Sequence, residues 1–271
     1  MTEQPWFATL RNWADTFDEI SPHTIEGIYV VGSAALDDWQ PHSSDIDIIA
    51  ITAEPADEEM AGNLLTAHAV FTEQHPVTTV DGPFLAWGDL TLGPQGVSRP
   101  WTLDGGFRHD AECFEINPVT WYTLATDGIA LRGPAAAELS IPLVEEERVR
   151  FVIDNAATYW RSVHDQFAAA LGELGAADTL PSAVPVWCLL GACRMLYTAS
   201  TADVTSKSAA GLWVAEEFDG RWREVCTTVV QLRAREDEPV GLALLDQAVG
   251  AMGEILDSLQ VLGHRFSPRS S

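Results

Sequence analysis

Two aspartates one residue apart, Asp45 and Asp47, open a run of strand-forming residues, Asp45-Ile46-Asp47-Ile48-Ile49-Ala50-Ile51. Side chains alternate across a strand, so the two carboxylates share a face, about 7 Å apart at their Cα atoms. Like charges so placed repel each other and lose hydration, and a cation between them relieves both costs. Upstream, Gly32-Ser33 closes a second apolar run, Ile28-Tyr29-Val30-Val31. Gly32 lets the backbone approach an anion, and Ser33 offers a hydroxyl and an N–H. A phosphate-binding turn beside a strand presenting two carboxylates to Mg²⁺ is the donor set that a nucleoside triphosphate requires. The pattern is not a Walker A loop, which needs Gly-Lys-Ser/Thr. Asp-x-Asp alone would equally describe a strand end with two solvated aspartates. The Gly-Ser turn and both flanking strands favour the ligand-binding reading.

These residues need elements to hold them. Residues 3–19 carry an apolar stripe, Trp6, Phe7, Leu10, Trp13, Ala14 and Phe17, which predicts a helix. The two strands follow, and then a helix over 58–71 with Met60, Leu64, Leu65, Ala67 and Phe71 inward. A third strand is expected from Val77 to Asp81, continuing through Trp87 if Gly82-Pro83 forms an edge or a bulge. Residues 88–111, rich in Gly and Pro, read as a long loop over the site, with Arg99, Trp101, Asp104 and His109. A short strand at 114–117, a helix at 120–127 and an apolar segment ending at Gly133-Pro134 complete this half. From about Leu143 the pattern is helical: one long helix over 145–174, a linker at 176–181, then helices over 184–199, 206–217, 221–236 and 240–262. The tail from Ser267 reads as disordered.

Composition narrows the function. The net charge is -25, far beyond the magnitude of about 2–8 usual for a small domain. That disfavours nucleic acid and anionic membranes as partners and suits a cationic small molecule, although solubility or adaptation to salt would account for it as well. No run of about 18 apolar residues predicts a membrane span, and no basic, apolar leader is evident at the N-terminus. The four cysteines lack metal-binding spacing and read as reduced, in a cytoplasmic protein. Lys207 is the only lysine in the chain.

The string Tyr29-Val30-Val31-Gly32-Ser33-Ala34-Ala35, with Pro41-His42-Ser43-Ser44-Asp45-Ile46-Asp47, resembles the signature of the DNA polymerase β-like nucleotidyltransferases, and within them the aminoglycoside 3''-adenylyltransferase branch. Ala192-Cys193-Arg194-Met195-Leu196-Tyr197 and Thr205-Ser206-Lys207-Ser208-Ala209-Ala210 are similar to the helical domain of the same enzymes. Ala130-Leu131-Arg132-Gly133-Pro134-Ala135 is similar to their interdomain stretch.

The resemblance implies an α+β protein: a nucleotidyltransferase domain with a mixed sheet and helices over 1–142, and an all-α helical bundle over 143–271. It implies Mg²⁺-dependent transfer of AMP from ATP to a hydroxyl of a small molecule, with an aminoglycoside or aminocyclitol antibiotic as the leading acceptor. Asp45 and Asp47 would hold Mg²⁺; Gly32, Ser33 and Ser44 would bind phosphates; Arg194 and Lys207 would reach the triphosphate from the helical domain. A third carboxylate, as metal ligand or base, falls on Asp81, with Glu115 and Asp104 in reserve. His42 reads as a loop residue rather than a base. Trp101, Trp160 and Trp187 are candidate stacking surfaces that core or loop packing would explain as well. The expected partners are ATP and a small cationic hydroxyl compound, acting on a monomer. A protein or RNA-end acceptor, and a non-catalytic nucleotide-binding regulator, are the rival readings.

Overall fold

The structure is a computed structural model that describes residues 4–266 except 78, 95–97, 110, 176 and 218–221. The expected tail beyond Ser267, Thr78 of the expected third strand, Ala176 of the expected linker and Arg221 of the expected fourth bundle helix lie outside the described residues. The chain divides into two compact units, Met1–Leu143 and Val144–Ser271.

The first unit is built on a six-stranded sheet of order β5-β4-β3-β2-β1-β6. Its elements are α1 (Pro5–Ile20), β1 (Ile25–Val30), α2 (Gly32–Ala35), β2 (Ile46–Thr52), α3 (Glu58–Gln74), β3 (Val80–Ala86), α4 (Trp87–Leu92), β4 (Trp101–Leu103), β5 (Gly106–Arg108), α5 (Pro118–Asp127) and β6 (Ile129–Arg132). β2 and β3 are parallel, and every other neighbouring pair is antiparallel. Strand alternation sorts the core into two layers. Ile46, Ile48 and Ala50 of β2 pack with Leu10, Trp13 and Phe17 of α1 and Leu64 and Phe71 of α3. Ile49 and Ile51 pack on the other side with Trp121 and Leu124 of α5. Asp45 and Asp47 have the parity of this second layer.

Several expectations change here. Residues 88–111 are not one long loop. They hold α4 and the β4–β5 hairpin, joined by Asp104-Gly105 at φ 51° and 71°. Both turn residues at positive φ make the two-residue connection whose twist matches the flanking strands. Residues 114–117 form a turn, not a strand, and Asn117 caps α5 by accepting from Val119 N and Thr120 N. Gly82-Pro83 is neither edge nor bulge: β3 runs through it between β2 and β4, and its offset from β2 is the same on both sides. Pro83 has no N–H to offer, and Gly82 approaches β2 so closely that a Cβ there would lie 1.8 Å from Ile48 O. Leu65, expected inward on α3, is exposed, and His68 is buried instead.

The second unit is helical: α6 (Glu145–Asn155), a π-helical turn (Ala156–Trp160), α7 (Arg161–Leu171), α8 (Ala183–Thr201), α9 (Lys207–Glu217), α10 (Arg223–Arg233) and α11 (Leu242–Phe266). The expected single helix over 145–174 is thus interrupted by the π turn, where Trp160 packs on Gly191; a Cβ at Gly191 would lie 2.4 Å from the indole. The expected linker contains β7 (Thr179–Pro181), which pairs with β8 (Pro239–Gly241). α8 is long and apolar enough to cross a membrane, yet 67% of its apolar stretch is buried within the protein, as in a core helix. Cys113, Cys188, Cys193 and Cys226 are free and buried.

Candidate active site

β1 delivers the chain to Val31, whose N–H donates to Asp47 O at 2.9 Å. Gly32 follows at φ 60°, and a Cβ there would lie 1.9 Å from Asp47 Oδ2. Only glycine leaves room for the Asp47 carboxylate against the turn, so the Gly-Ser turn and the second aspartate form one unit. Ser33 is half-buried in α2. Ser44 is also half-buried, and its Oγ accepts from Gln40 N at 3.1 Å, bracing the approach to Asp45. His42 is exposed in the same loop.

The register of β2 and β3 completes the cluster. Asp47 lies opposite Asp81, and the same offset sets Asp45 opposite Thr79, whose Oγ donates to Asp45 Oδ1 at 2.5 Å. Asp81 is only 2% exposed. Its Oδ2 accepts from Asp104 N at 3.1 Å, and its Oδ1 has no hydrogen-bond partner among the described residues. Burial pushes the Asp81 carboxyl up to about 6; the Asp104 N–H opposes this, and Asp45, Asp47 and the Asp104 carboxylate add to it. Glu115, half-buried in the turn before α5, is pushed up to about 9 by burial and then by Asp47, Asp81 and Asp45.

Asp45, Asp47, Asp81 and Glu115 therefore act on one another electrostatically. Among the described residues, no group of three or more His, Cys, Asp or Glu side chains is gathered into a ready metal cage. The donors nevertheless suit a hard divalent cation. They are carboxylate oxygens, they repel one another, and one buried oxygen is bare. Mg²⁺ would be held by Asp45 and Asp47, with Asp81 beside them as third ligand or base, and the cation would favour ionisation of all three.

The sequence-predicted residues sort cleanly. The structure brings together Gly32, Asp45, Asp47 and Asp81, with Glu115 close enough to perturb them. Asp104 serves through its backbone N–H rather than as a substitute carboxylate. Arg99 and Trp101 are structural: Arg99 grips Asp89 through both oxygens, and Trp101 is buried in the core. In the second unit, Arg194 on α8 and Lys207 at the start of α9 are half-buried. Trp160 packs on Trp187 with ring centroids 4.8 Å apart. The residue missed from sequence was Thr79. Its signal was parity: it stands two positions before Asp81, on the same face.

A six-stranded mixed sheet with paired carboxylates on adjacent strands beside a Gly-Ser turn defines a nucleotidyltransferase domain. Comparison agrees: the family model described as nucleotidyltransferase domain matches residues 10–81, and that described as aminoglycoside adenylyltransferase, C-terminal domain, matches residues 151–254. The chain thus carries a nucleotidyltransferase domain followed by a region similar to the C-terminal domain of aminoglycoside adenylyltransferases. Its fold is similar to that of the spectinomycin adenyltransferase AAD(9) from Enterococcus faecialis, solved with ATP and spectinomycin. That likeness has a TM-score of 0.67 at 14% identity and covers 94% of this chain and 99% of the other. No curated protein matches the sequence.

Proposed function

We propose that this enzyme transfers AMP from ATP to a hydroxyl of a small cationic acceptor of the aminoglycoside or aminocyclitol class, with Mg²⁺ as cofactor. The observation that carries this reading is Asp81, a buried carboxylate in register with Asp47 and bare at Oδ1. The ATP and spectinomycin bound by the structurally similar enzyme support the choice of co-substrate and acceptor class, and the net charge of -25 suits a cationic acceptor.

Mg²⁺, when bound, would supply charge neutralisation for the phosphates and the leaving pyrophosphate. Asp45, oriented by Thr79, and Asp47, seated against Gly32, would hold it. The Gly32-Ser33 backbone faces the phosphates, and Ser33 and Ser44 contribute hydroxyls. Asp81, ionised at neutral pH with a value of about 6, takes the acceptor hydroxyl proton at Oδ1. A bond forms between the acceptor oxygen and the α-phosphorus, the bond to the β-phosphate oxygen breaks, and pyrophosphate leaves. Glu115, held protonated by burial and its neighbours, adds no further negative charge until a cation arrives. Arg194 and Lys207 belong to this reading as triphosphate ligands. In it, the enzyme works in the cytoplasm as a monomer.

The test is pyrophosphate release from ATP and Mg²⁺ across a panel of aminoglycosides and aminocyclitols, with product masses. A gain of one AMP on any member supports the reading; silence across the panel with ATP still bound counts against the acceptor class. Lys207→Ala should weaken ATP binding about tenfold by calorimetry, and unchanged affinity would remove its assigned role.

A further inference from the structure

His68 sits on the inner side of α3, 4% exposed. Its Nε2 is 2.9 Å from Gly105 O. A carbonyl oxygen only accepts, so Nε2 carries the proton and donates. Nδ1 is then a bare acceptor, buried, with no partner among the described residues. Burial lowers the pKa of the ring, which keeps it neutral. A buried nitrogen without a partner is costly, and an apolar side chain at this helix position would avoid the cost. The one strong hydrogen bond His68 makes beyond its own helix goes to the Asp104-Gly105 turn.

That turn is the one whose Asp104 N–H rests on Asp81 Oδ2 at 3.1 Å. Asp104 and Gly105 both lie at positive φ, and the pairing of Leu103 with Gly106 closes the turn on both sides. Fixing the Gly105 carbonyl on one side orients the Asp104 N–H on the other. Thr72 packs 3.7 Å from the place where a Gly105 Cβ would stand. Phe107, just after the turn, lies 6.1 Å from the His68 ring and 5.9 Å from Phe84 of β3. The hairpin tip is thus clamped to α3 at one polar point and padded by apolar groups around it.

We propose that His68 is a positioning residue for nucleotidyl transfer: its Nε2–H clamps the β4–β5 turn so that the Asp104 N–H engages Asp81 Oδ2 and leaves Oδ1 for the reaction. The catalytic part of this inference rests on the role proposed above for Asp81, while the clamp itself does not. The clamp fixes which oxygen of Asp81 is engaged by the turn and which one is bare.

The test compares His68→Gln, whose amide nitrogen reaches the Nε2 position, with His68→Asn, which carries the same group one methylene short. In the full chain, His68→Gln should keep kcat within about threefold. His68→Asn should lose about tenfold or more in kcat with KM for ATP nearly unchanged, the pattern of a positioning defect. Amide hydrogen exchange at Asp104, read by NMR, should be unchanged in His68→Gln and about tenfold faster in His68→Asn. The exchange measurement needs no turnover. If the Asp104 amide responds as expected but no acceptor is ever adenylylated, the clamp stands and the assigned reaction fails. Equal exchange in both variants and the parent overturns the clamp, as does a His68→Gln variant as impaired as His68→Asn. Where His68→Asn does not fold, exchange at Asp104 in His68→Gln decides alone: retained protection supports the clamp, and lost protection overturns it.

Discussion

Two buried aspartates flank the same stretch of chain and behave oppositely. Asp89, in α4 just beyond the C-terminal end of β3, is 3% exposed. Arg99 grips both its oxygens and Ala86 N donates to it at 2.8 Å. Asp81, near the N-terminal end of β3, is 2% exposed, accepts one N–H, and feels four other carboxylates, Asp45, Asp47, Asp104 and Glu115. A carboxylate retained for the fold has its charge answered within the protein. One that serves a ligand, as proposed for Asp81, is left partly unanswered, because the missing charge would arrive with the cation and the nucleotide.

The comparison breaks most sharply by removing the unanswered charge. Asp81→Asn should lower turnover by about a thousandfold or more, roughly 4 kcal/mol of transition-state stabilisation; steady-state kinetics would expose a misassignment if turnover survived. Its stability should move the other way. The folded value of about 6 lies above the ordinary 3.8, so the stabilisation from a protonated Asp81 is complete below about pH 4 and is lost as pH rises through 6. Asparagine is neutral throughout. Thermal melts should therefore show Asp81→Asn more stable than the parent at pH 8, by up to roughly 3 kcal/mol, and equal to it near pH 4.

Removing the answering charge should do the reverse. Arg99→Leu leaves Asp89 buried and unpaired, and denaturant unfolding should show a loss of about 3 kcal/mol, with turnover per folded molecule retained. A large loss of turnover with stability intact would place Arg99 in the site after all. Thr79→Val, which removes the donor to Asp45, should cost about tenfold in activity, and Thr79→Ser should recover most of it. If serine and valine behave alike, the hydrogen bond to Asp45 has no part in activity. The smallest expected effect is direct: Mg²⁺ added to the protein near pH 7 in weak buffer should release protons, because a cation lowers the raised values of Asp81 and Glu115. No release would indicate that these carboxylates do not meet the metal.

Much of this was legible in the residues. The stripe of α1 predicted a helix because burial of Trp6, Leu10, Trp13 and Phe17 follows a local period. Asp104-Gly105 is itself a hairpin-turn dipeptide, a signal that the Gly- and Pro-rich composition around it obscured. Gly82-Pro83 argued against an interior strand. Flanking residues such as Phe84 and Leu85, fully packed on opposite layers, overrode that local preference.

The sequence by itself determined that Asp45 and Asp47 share a face and that Gly32 punctuates the strand before them, since alternation and positive φ are properties of a few neighbouring residues. Tertiary structure alone decided that Asp81 stands opposite Asp47 and that Thr79 meets Asp45. It also decided that Asp104 contributes an N–H, and that His68 holds the turn carrying it. Those pairings join residues far apart along the chain. Strand register and helix packing set them, through burial of side chains that carry none of the chemistry.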